Sequence, residues 1–352
     1  MTFKSNFTYL FFLFLILFSC HNENRSTHDL FELLPAELTG VHFKNELKDT
    51  PELNILSYLY YYNGAGLAIA DFNQDGLEDI FFASNQVQNH LYLNKGKLKF
   101  EEVPQKANLL EEGWSTGVAI TDVNNDGLPD IYVCQVNGLK GSSGRNLLYV
   151  NQGSDESGIP QFEEKAKDYG LDFSGYSTQA AFFDADLDGD LDMYLLNHST
   201  HPSSNYGKGI QRTIKDSISG DRFYKNNNGF FEDFTEEAGI FSSKIGFGLG
   251  LGVSDLNSDG YPDIYVGNDF FENDYLYLNK GDGTFEEQIH RNEYVLGHTT
   301  HFSMGNDLAD FNNDGAVDIL SMDMLPNDLE TYKTSGNEFN FNIYQNYLKN
   351  GY

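Results

Sequence analysis

The chain has 352 residues, with 53 Asp and Glu against 22 Lys and Arg and a formal net charge of −31. So negative a balance repels phosphate backbones and argues against a nucleic-acid partner. Aromatic residues make up 15% of the chain, as 29 Phe and 22 Tyr with a single Trp, which suits packing between sheets better than a sugar-stacking platform.

At the N-terminus Lys4 precedes an apolar stretch from Tyr9 to Phe18, which runs on into Ser19-Cys20. A bilayer span needs about 20 apolar residues, so this stretch is too short to cross and has the length of a signal-peptide core. Residues 1–19 are therefore expected to be a leader and residues 20–39 a tether. The Leu-x-Ser-Cys ending resembles a bacterial lipobox, which implies acylation of Cys20 and a lipid anchor in the membrane. With Cys20 so used, Cys134 has no partner for a disulfide. The expected location is outside the cytoplasm, as a bacterial lipoprotein of the outer membrane or cell surface.

From Asp71 onward an aspartate-rich nonapeptide recurs five times: DFNQDGLED, DVNNDGLPD, DADLDGDLD, DLNSDGYPD and DFNNDGAVD. Positions 1, 3, 5 and 9 carry side-chain oxygens, position 6 is glycine, and position 7 can offer its backbone carbonyl. The candidate ligands are Asp71, Asn73, Asp75, Leu77 and Asp79 in the first loop, and Asp122, Asn124, Asp126, Leu128 and Asp130 in the second. The third offers Asp184, Asp186, Asp188, Asp190 and Asp192, the fourth Asp255, Asn257, Asp259, Tyr261 and Asp263, and the fifth Asp310, Asn312, Asp314, Ala316 and Asp318. An Asp-Gly step alone signals no more than a hairpin turn. A turn does not need three carboxylates in nine residues, however, and their mutual repulsion calls for a cation between them. Hard oxygen donors at alternate positions suit calcium, at about five sites. Positions 1, 3, 5 and 9 hold three carboxylates in each of four loops and four in the third, sixteen in all.

These loops begin like EF-hands but lack the Glu at position 12, where Phe82, Val133, Leu195, Val266 and Ser321 stand. Their flanks read as strands: GLAIA, GVAIT, QAAFF, GLGVS and GNDLA before, and IFFAS, IYVCQ, MYLLN, IYVGN and ILSMD after. After four of the loops a third strand ends in Asn and Gly (HLYLNKG, LLYVNQG, RFYKNNNG, YLYLNKGDG). A fourth follows it, built on Phe and acidic residues (LKFEEV, PQFEEKA, GFFEDF, GTFEEQI). First aspartates lie 51 to 71 residues apart, so the predicted unit is a four-stranded meander that must stack on its neighbours. Stacking around an axis gives an all-β propeller of four-stranded blades. Gly66, Gly117, Gly250 and Gly305, with Ala68, Ala119, Ala181 and Gly252, would let the innermost strands crowd together.

The unit G-x-A-x-x-D-x-N-x-D-G-x-x-D-I-y-v, then L-y-x-N-x-G and F-x-E, resembles the FG-GAP/VCBS repeat of integrin-alpha-like propellers and cartilage-acidic-protein-like (ASPIC-type) bacterial proteins. The resemblance covers about Tyr60 to Met324, so residues 40–324 are assigned to the repeats. It implies a seven-bladed propeller with calcium in the hairpin loops, and a role in adhesion or ligand binding at cell surfaces. Two departures stand against it: only five loops are present, and the fifth lacks its third and fourth strands. Residues 325–352 read as an irregular segment, and the resemblance implies a fragment of a longer protein. Gly40 to Leu47 (GVHFKNEL) is expected to supply the outer strand of the last blade.

No phosphate-binding glycine loop, nucleophile elbow or HExxH motif is present. Two His-x-x-His pairs, His198 with His201 and His298 with His301, fall in inter-strand loops, where satisfied or solvent-facing histidines are the ordinary outcome. The expected function is a non-enzymatic, calcium-rigidified module that binds a protein or carbohydrate at the cell surface. The longer loops from Asn137 to Arg145 and from Ser199 to Gly220 would make the contact. The alternative is a component of extracellular polymer processing with the His pairs in its site.

Overall fold

The computed structural model describes residues 31–103, 107–109, 113–139, 144–201, 208–290, 295–297, 299–324, 330, 345–346 and 349–350. The expected leader, Cys20 and His298 lie outside the described residues, as does most of the segment after 324.

Each nonapeptide joins two antiparallel strands. In the first unit β1 (Leu67–Ala70) pairs with β2 (Asp79–Phe82) across the loop, Ala70 opposite Asp79, and β3 (His90–Asn94) and β4 (Phe100–Glu102) follow. The second unit is β5 (Trp114–Thr121), β6 (Asp130–Val136), β7 (Leu147–Ser154) and β8 (Pro160–Glu164). The third is β9 (Ser177–Phe183), β10 (Asp192–Asn197), β11 (Arg222–Asn226) and β12 (Phe231–Asp233). The fourth is β13 (Gly248–Ser254), β14 (Asp263–Asn268), β15 (Tyr275–Asn279) and β16 (Phe285–Glu287), and the fifth holds β17 (Ser303–Ala309) and β18 (Asp318–Asp323). Strand order follows chain order in all five sheets, giving four complete meanders and one hairpin. The chain is thus all-β and built of blade-like sheets, as the sequence pattern requires.

Residue type explains which strand goes where. The second strands β6, β10 and β14 are buried along their whole length. Near-continuous runs such as IYVCQV and MYLLN fit a strand covered on both faces. Three apolar layers fill the spaces between successive complete sheets. Phe81 and Leu91 meet Tyr149 and Phe162 in the first, Tyr132 and Leu148 meet Met193 and Phe231 in the second, and Phe183 and Tyr194 meet Tyr275 and Phe285 in the third. Burial of each large side chain contributes about 1.5–3 kcal/mol, so these layers hold the row of sheets together.

First strands touch first strands along the row, β1 to β5, β5 to β9, β9 to β13 and β13 to β17. Glycine makes the approach possible: a Cβ on Gly66 would sit 2.8 Å from the Val118 nitrogen, and one on Gly117 would collide with the Thr178 carbonyl. Where these strands begin, Ala65, Thr116, Thr178, Leu249 and Met304 surround a cavity of about 170 Å³, closed in part by Tyr58 and Tyr60. All five sheets therefore face a common axis. The outward face of the first sheet leaves Leu67 and Ile69 57% exposed, and the last hairpin leaves Met322 60% exposed.

One expectation is corrected. Residues 40–47 form no strand and do not complete the last sheet; they run along the first. Phe43 stacks on Phe82 with centroids 4.6 Å apart, Asn45 Nδ2 donates to Asn85 Oδ1 at 2.6 Å, and the Lys48 N–H donates to Gln86 Oε1. The chain then crosses the sheet ends as an aromatic plug in which Tyr58, Tyr60 and Tyr61 pack with Trp114, Val136 and Phe247. A segment of alternating apolar residues can lie against a sheet face as well as pair with its edge, and here Phe43 decides for the face.

Candidate metal centres

All five nonapeptides share one backbone course. The fourth residue, Gln74, Asn125, Leu187, Ser258 or Asn313, has φ between 57° and 62°, and the sixth-position glycine has φ between 85° and 97°. The glycine is needed because a side chain is strained in that region. The first aspartate closes the turn: Asp71 Oδ1 accepts from the Asp75 N–H at 3.0 Å and Oδ2 from the Gly76 N–H at 2.8 Å. The same pair of bonds recurs at Asp122, Asp184, Asp255 and Asp310. Asn73 Nδ2 donates to Asp75 Oδ2 at 3.0 Å, as Asn124 does to Asp126 and Asn257 to Asp259. At the seventh position Leu77, Leu128, Asp190, Tyr261 and Ala316 each donate an N–H to the fifth-position carboxylate. Positions 1, 3 and 5 therefore converge on one turn.

The ninth-position aspartate has a second task. Asp130 Oδ1 accepts the Asn151 N–H at 2.7 Å and Oδ2 accepts the Val123 N–H at 2.9 Å, so one buried carboxylate ties the loop to the third strand. Asp79, Asp192 and Asp263 make the same two contacts, and Asp318 accepts from the Phe311 N–H. Burial pushes Asp79 and Asp130 up to about 6 and Asp192 to about 7, against the lowering effect of the N–H donors, and it raises Asp263 too. Neighbouring loop carboxylates add to the rise: Asp75 and Asp71 on Asp79, Asp126 and Asp122 on Asp130. A divalent cation reverses that balance by favouring the ionised form.

The third loop is the most acidic. Asp184, Asp186 and Asp188 each bring an oxygen within 4.8 Å of the others. Asp186 Oδ1 is buried and has no hydrogen-bond partner. Oδ2 of the same side chain accepts from Lys225 Nζ, and the remaining buried oxygen beside two more carboxylates is costly to leave unmet. The donors are all oxygen, which suits calcium rather than a soft metal. The residues of the five loops thus fit a hard divalent ion.

The chain carries another polar repeat that the sequence reading missed. The residue just before each third strand is a buried Asn or Asp that caps the end of the second strand. Asn89 Oδ1 accepts the Ser84 N–H, Asn146 the Gln135 N–H, Asp221 the Asn197 N–H and Asp274 the Asn268 N–H, at 2.8 to 3.0 Å. Tyr194 and Tyr265 donate to Asp221 and Asp274, while Asn146 donates to Tyr132. Its signal was an Asn or Asp at 89, 146, 221 and 274, always three residues ahead of a Tyr. The Asn near the end of the third strand spans sheets in two of the units: Asn151 Nδ2 donates to the Phe72 carbonyl and Asn279 Nδ2 to the Ala185 carbonyl.

The first His pair is not assembled as a ligand set. His198 is buried in the aromatic plug, where its Nδ1–H donates to the Ser199 carbonyl at 3.0 Å and its Nε2 accepts from the Tyr58 hydroxyl at 3.1 Å. Burial lowers it to about 4, so it is neutral. His201 turns instead to Asp216, with Nε2 3.3 Å from Oδ2. Burial also lowers His301.

Residues 71–133 and 255–321 match the FG-GAP-like repeat family. Those spans begin on the first aspartates of loops one and four and run through the strand after loops two and five. Cartilage acidic protein 1 of Xenopus tropicalis is 27% identical over 267 residues, covering 72% of this chain and 39% of that protein. The Homo sapiens protein of that name is 30% identical over 139 residues, covering 39% of this chain and 20% of the other. This chain therefore spans less than half the length of these curated relatives. Among solved structures, an Agrocybe aegerita lectin studied for recognition of non-reducing terminal N-acetylglucosamine has a TM-score of 0.39 and 18% identity, over 72% of this chain and 59% of that one. Residues 71–133 and 255–321 are thus FG-GAP-like repeats, and the loop at 184–192 shares the backbone course of the four loops they contain.

Proposed function

We propose that this chain is a calcium-binding, non-enzymatic adhesion or ligand-binding module, held at the bacterial surface through a lipid on Cys20. The observation that carries the calcium reading is the fivefold recurrence of carboxylates around one turn geometry, with a ninth-position aspartate whose carboxyl burial and neighbouring carboxylates push up in the first three loops, a cost that a bound cation would relieve. Extracellular calcium modules have dissociation constants of about 10⁻⁴ to 10⁻³ M, so millimolar calcium would add roughly 0.5–1.5 kcal/mol per site.

Strand direction separates the ions from the partner. The metal loops join first to second strands, whereas the long connections after Val136 and Asn197 leave the opposite ends of their sheets. The second connection is pinned at Arg212. Arg212 Nε donates to the buried Glu272 Oε1 at 2.8 Å, and His290 Nε2 lies 3.4 Å from the same oxygen. A pinned, polar connection beside an aromatic plug offers a preformed surface for a protein or a carbohydrate, and the ions at the far end would stiffen the sheets that present it. Equilibrium dialysis should find about five calcium ions per chain, and capture on a glycan or surface-protein array should weaken in chelator. Absence of calcium uptake at millimolar concentration would remove the first half of the proposal. Array binding indifferent to chelator would remove the link between the halves.

A further inference from the structure

The third unit breaks the repeat pattern twice, and the two breaks touch each other. Position 3 of the loop is Asn73, Asn124, Asn257 and Asn312 in the other four units but Asp186 here. The fourth residue of the third strand is Leu93, Val150 and Leu278 in the other complete units but Lys225 here. Lys225 Nζ donates to Asp186 Oδ2 at 2.6 Å. An extra negative charge in the loop is thus met by an extra positive charge on the neighbouring strand. The ammonium also faces Asp192 and Asp188, and together with Asp186 these hold Lys225 above its usual range. The pair lies beside a turn glycine of the fourth unit, Gly283, where a Cβ would sit 3.7 Å from Asp186 Oδ2 and 3.8 Å from Lys225 Nζ.

We infer that Lys225 is a built-in counter-cation of the third loop, so that a divalent ion must displace or repel it and this site answers to calcium differently from the other four. The inference rests on the calcium reading above. A unit positive charge within a few ångströms of a candidate ligand opposes a second cation electrostatically, and it holds one oxygen that the ion would use. The same ammonium partly neutralises Asp184, Asp186 and Asp188 when no ion is bound, so the third loop keeps its shape in chelator. Among the described residues, no lysine forms an ion pair with a carboxylate of the other four loops.

The test compares wild type with Lys225→Leu, which restores the residue of the sister strands, and with Lys225→Arg, which keeps the charge. Calcium titration calorimetry should show one site of Lys225→Leu tightening by about tenfold, with Lys225→Arg close to wild type. In excess chelator Lys225→Leu should melt lower than wild type, because the acidic loop has lost its internal cation, and adding Asp186→Asn to it should restore the melt. Calcium isotherms that superimpose for wild type and Lys225→Leu would overturn the inference while leaving the calcium reading in place. A flat wild-type isotherm would overturn that reading itself. A Lys225→Leu protein that melts like wild type in chelator would remove the counter-cation role.

Discussion

A single buried carboxylate at the ninth loop position serves two backbone donors, one in the loop and one on the third strand, and its removal separates structure from ion binding. Asp130→Ala leaves the N–H groups of Asn151 and Val123 buried without acceptors, at about 1–3 kcal/mol each. Urea unfolding in chelator should therefore show a loss of about 2–6 kcal/mol. Asp126→Asn, at an exposed loop position, should stay within about 0.5 kcal/mol of wild type in chelator and lose stability only when calcium is present. Asp221 gives a test independent of metal. Burial raises it to about 7 although the Asn197 N–H and the Tyr194 hydroxyl oppose the rise. A carboxyl raised above its unfolded value binds more protons in the folded state, so its contribution is present below about pH 4 and is lost as pH climbs through about 7. Asp221→Asn copies Asn146 of the second sheet, and it should flatten that fall and raise stability at pH 8 by about 2–4 kcal/mol. Unchanged pH dependence of the urea midpoint in chelator would contradict the assignment.

At the level of strands and loops, the sequence was most legible where periodic pattern and turn chemistry agreed. Every strand flanking a nonapeptide was read correctly, since apolar runs bounded by an Asp-Gly turn leave few alternatives. The third and fourth strands followed from their Asn-Gly and Phe-acidic endings. Legibility failed where packing, not pattern, decides: Gly40 to Leu47 has strand-like alternation, yet Phe43 finds Phe82 and the segment lies flat on the first sheet. The caps at Asn89, Asn146, Asp221 and Asp274 went unseen because a polar residue before a strand reads as loop until its burial is known. Equivalent glycines also proved unequal. Gly117 and Gly305 occupy the same repeat position, but a Cβ on Gly117 strikes the Thr178 carbonyl and one on Gly305 meets nothing within 4 Å. Gly117→Ala should cost about 1–3 kcal/mol by forcing two first strands apart, and Gly305→Ala should be tolerated; equal thermal melts for the two would contradict the close approach.

Over the whole molecule, electrostatics and packing pull in opposite directions. Apolar layers draw the sheets together around an axis, while a formal charge of −31, much of it in the five turns, drives them apart. Five bound calcium ions would return ten charges and leave about −21. Gains of roughly 0.5–1.5 kcal/mol per site sum to several kcal/mol, a large part of the net stability of an ordinary domain. The most direct test is a pair of thermal melts at neutral pH, one in millimolar calcium and one in excess chelator. The account predicts a markedly lower melting temperature in chelator, recovered when calcium is added back. Coincident melts would contradict it, because turns this acidic would then hold their shape without any ion.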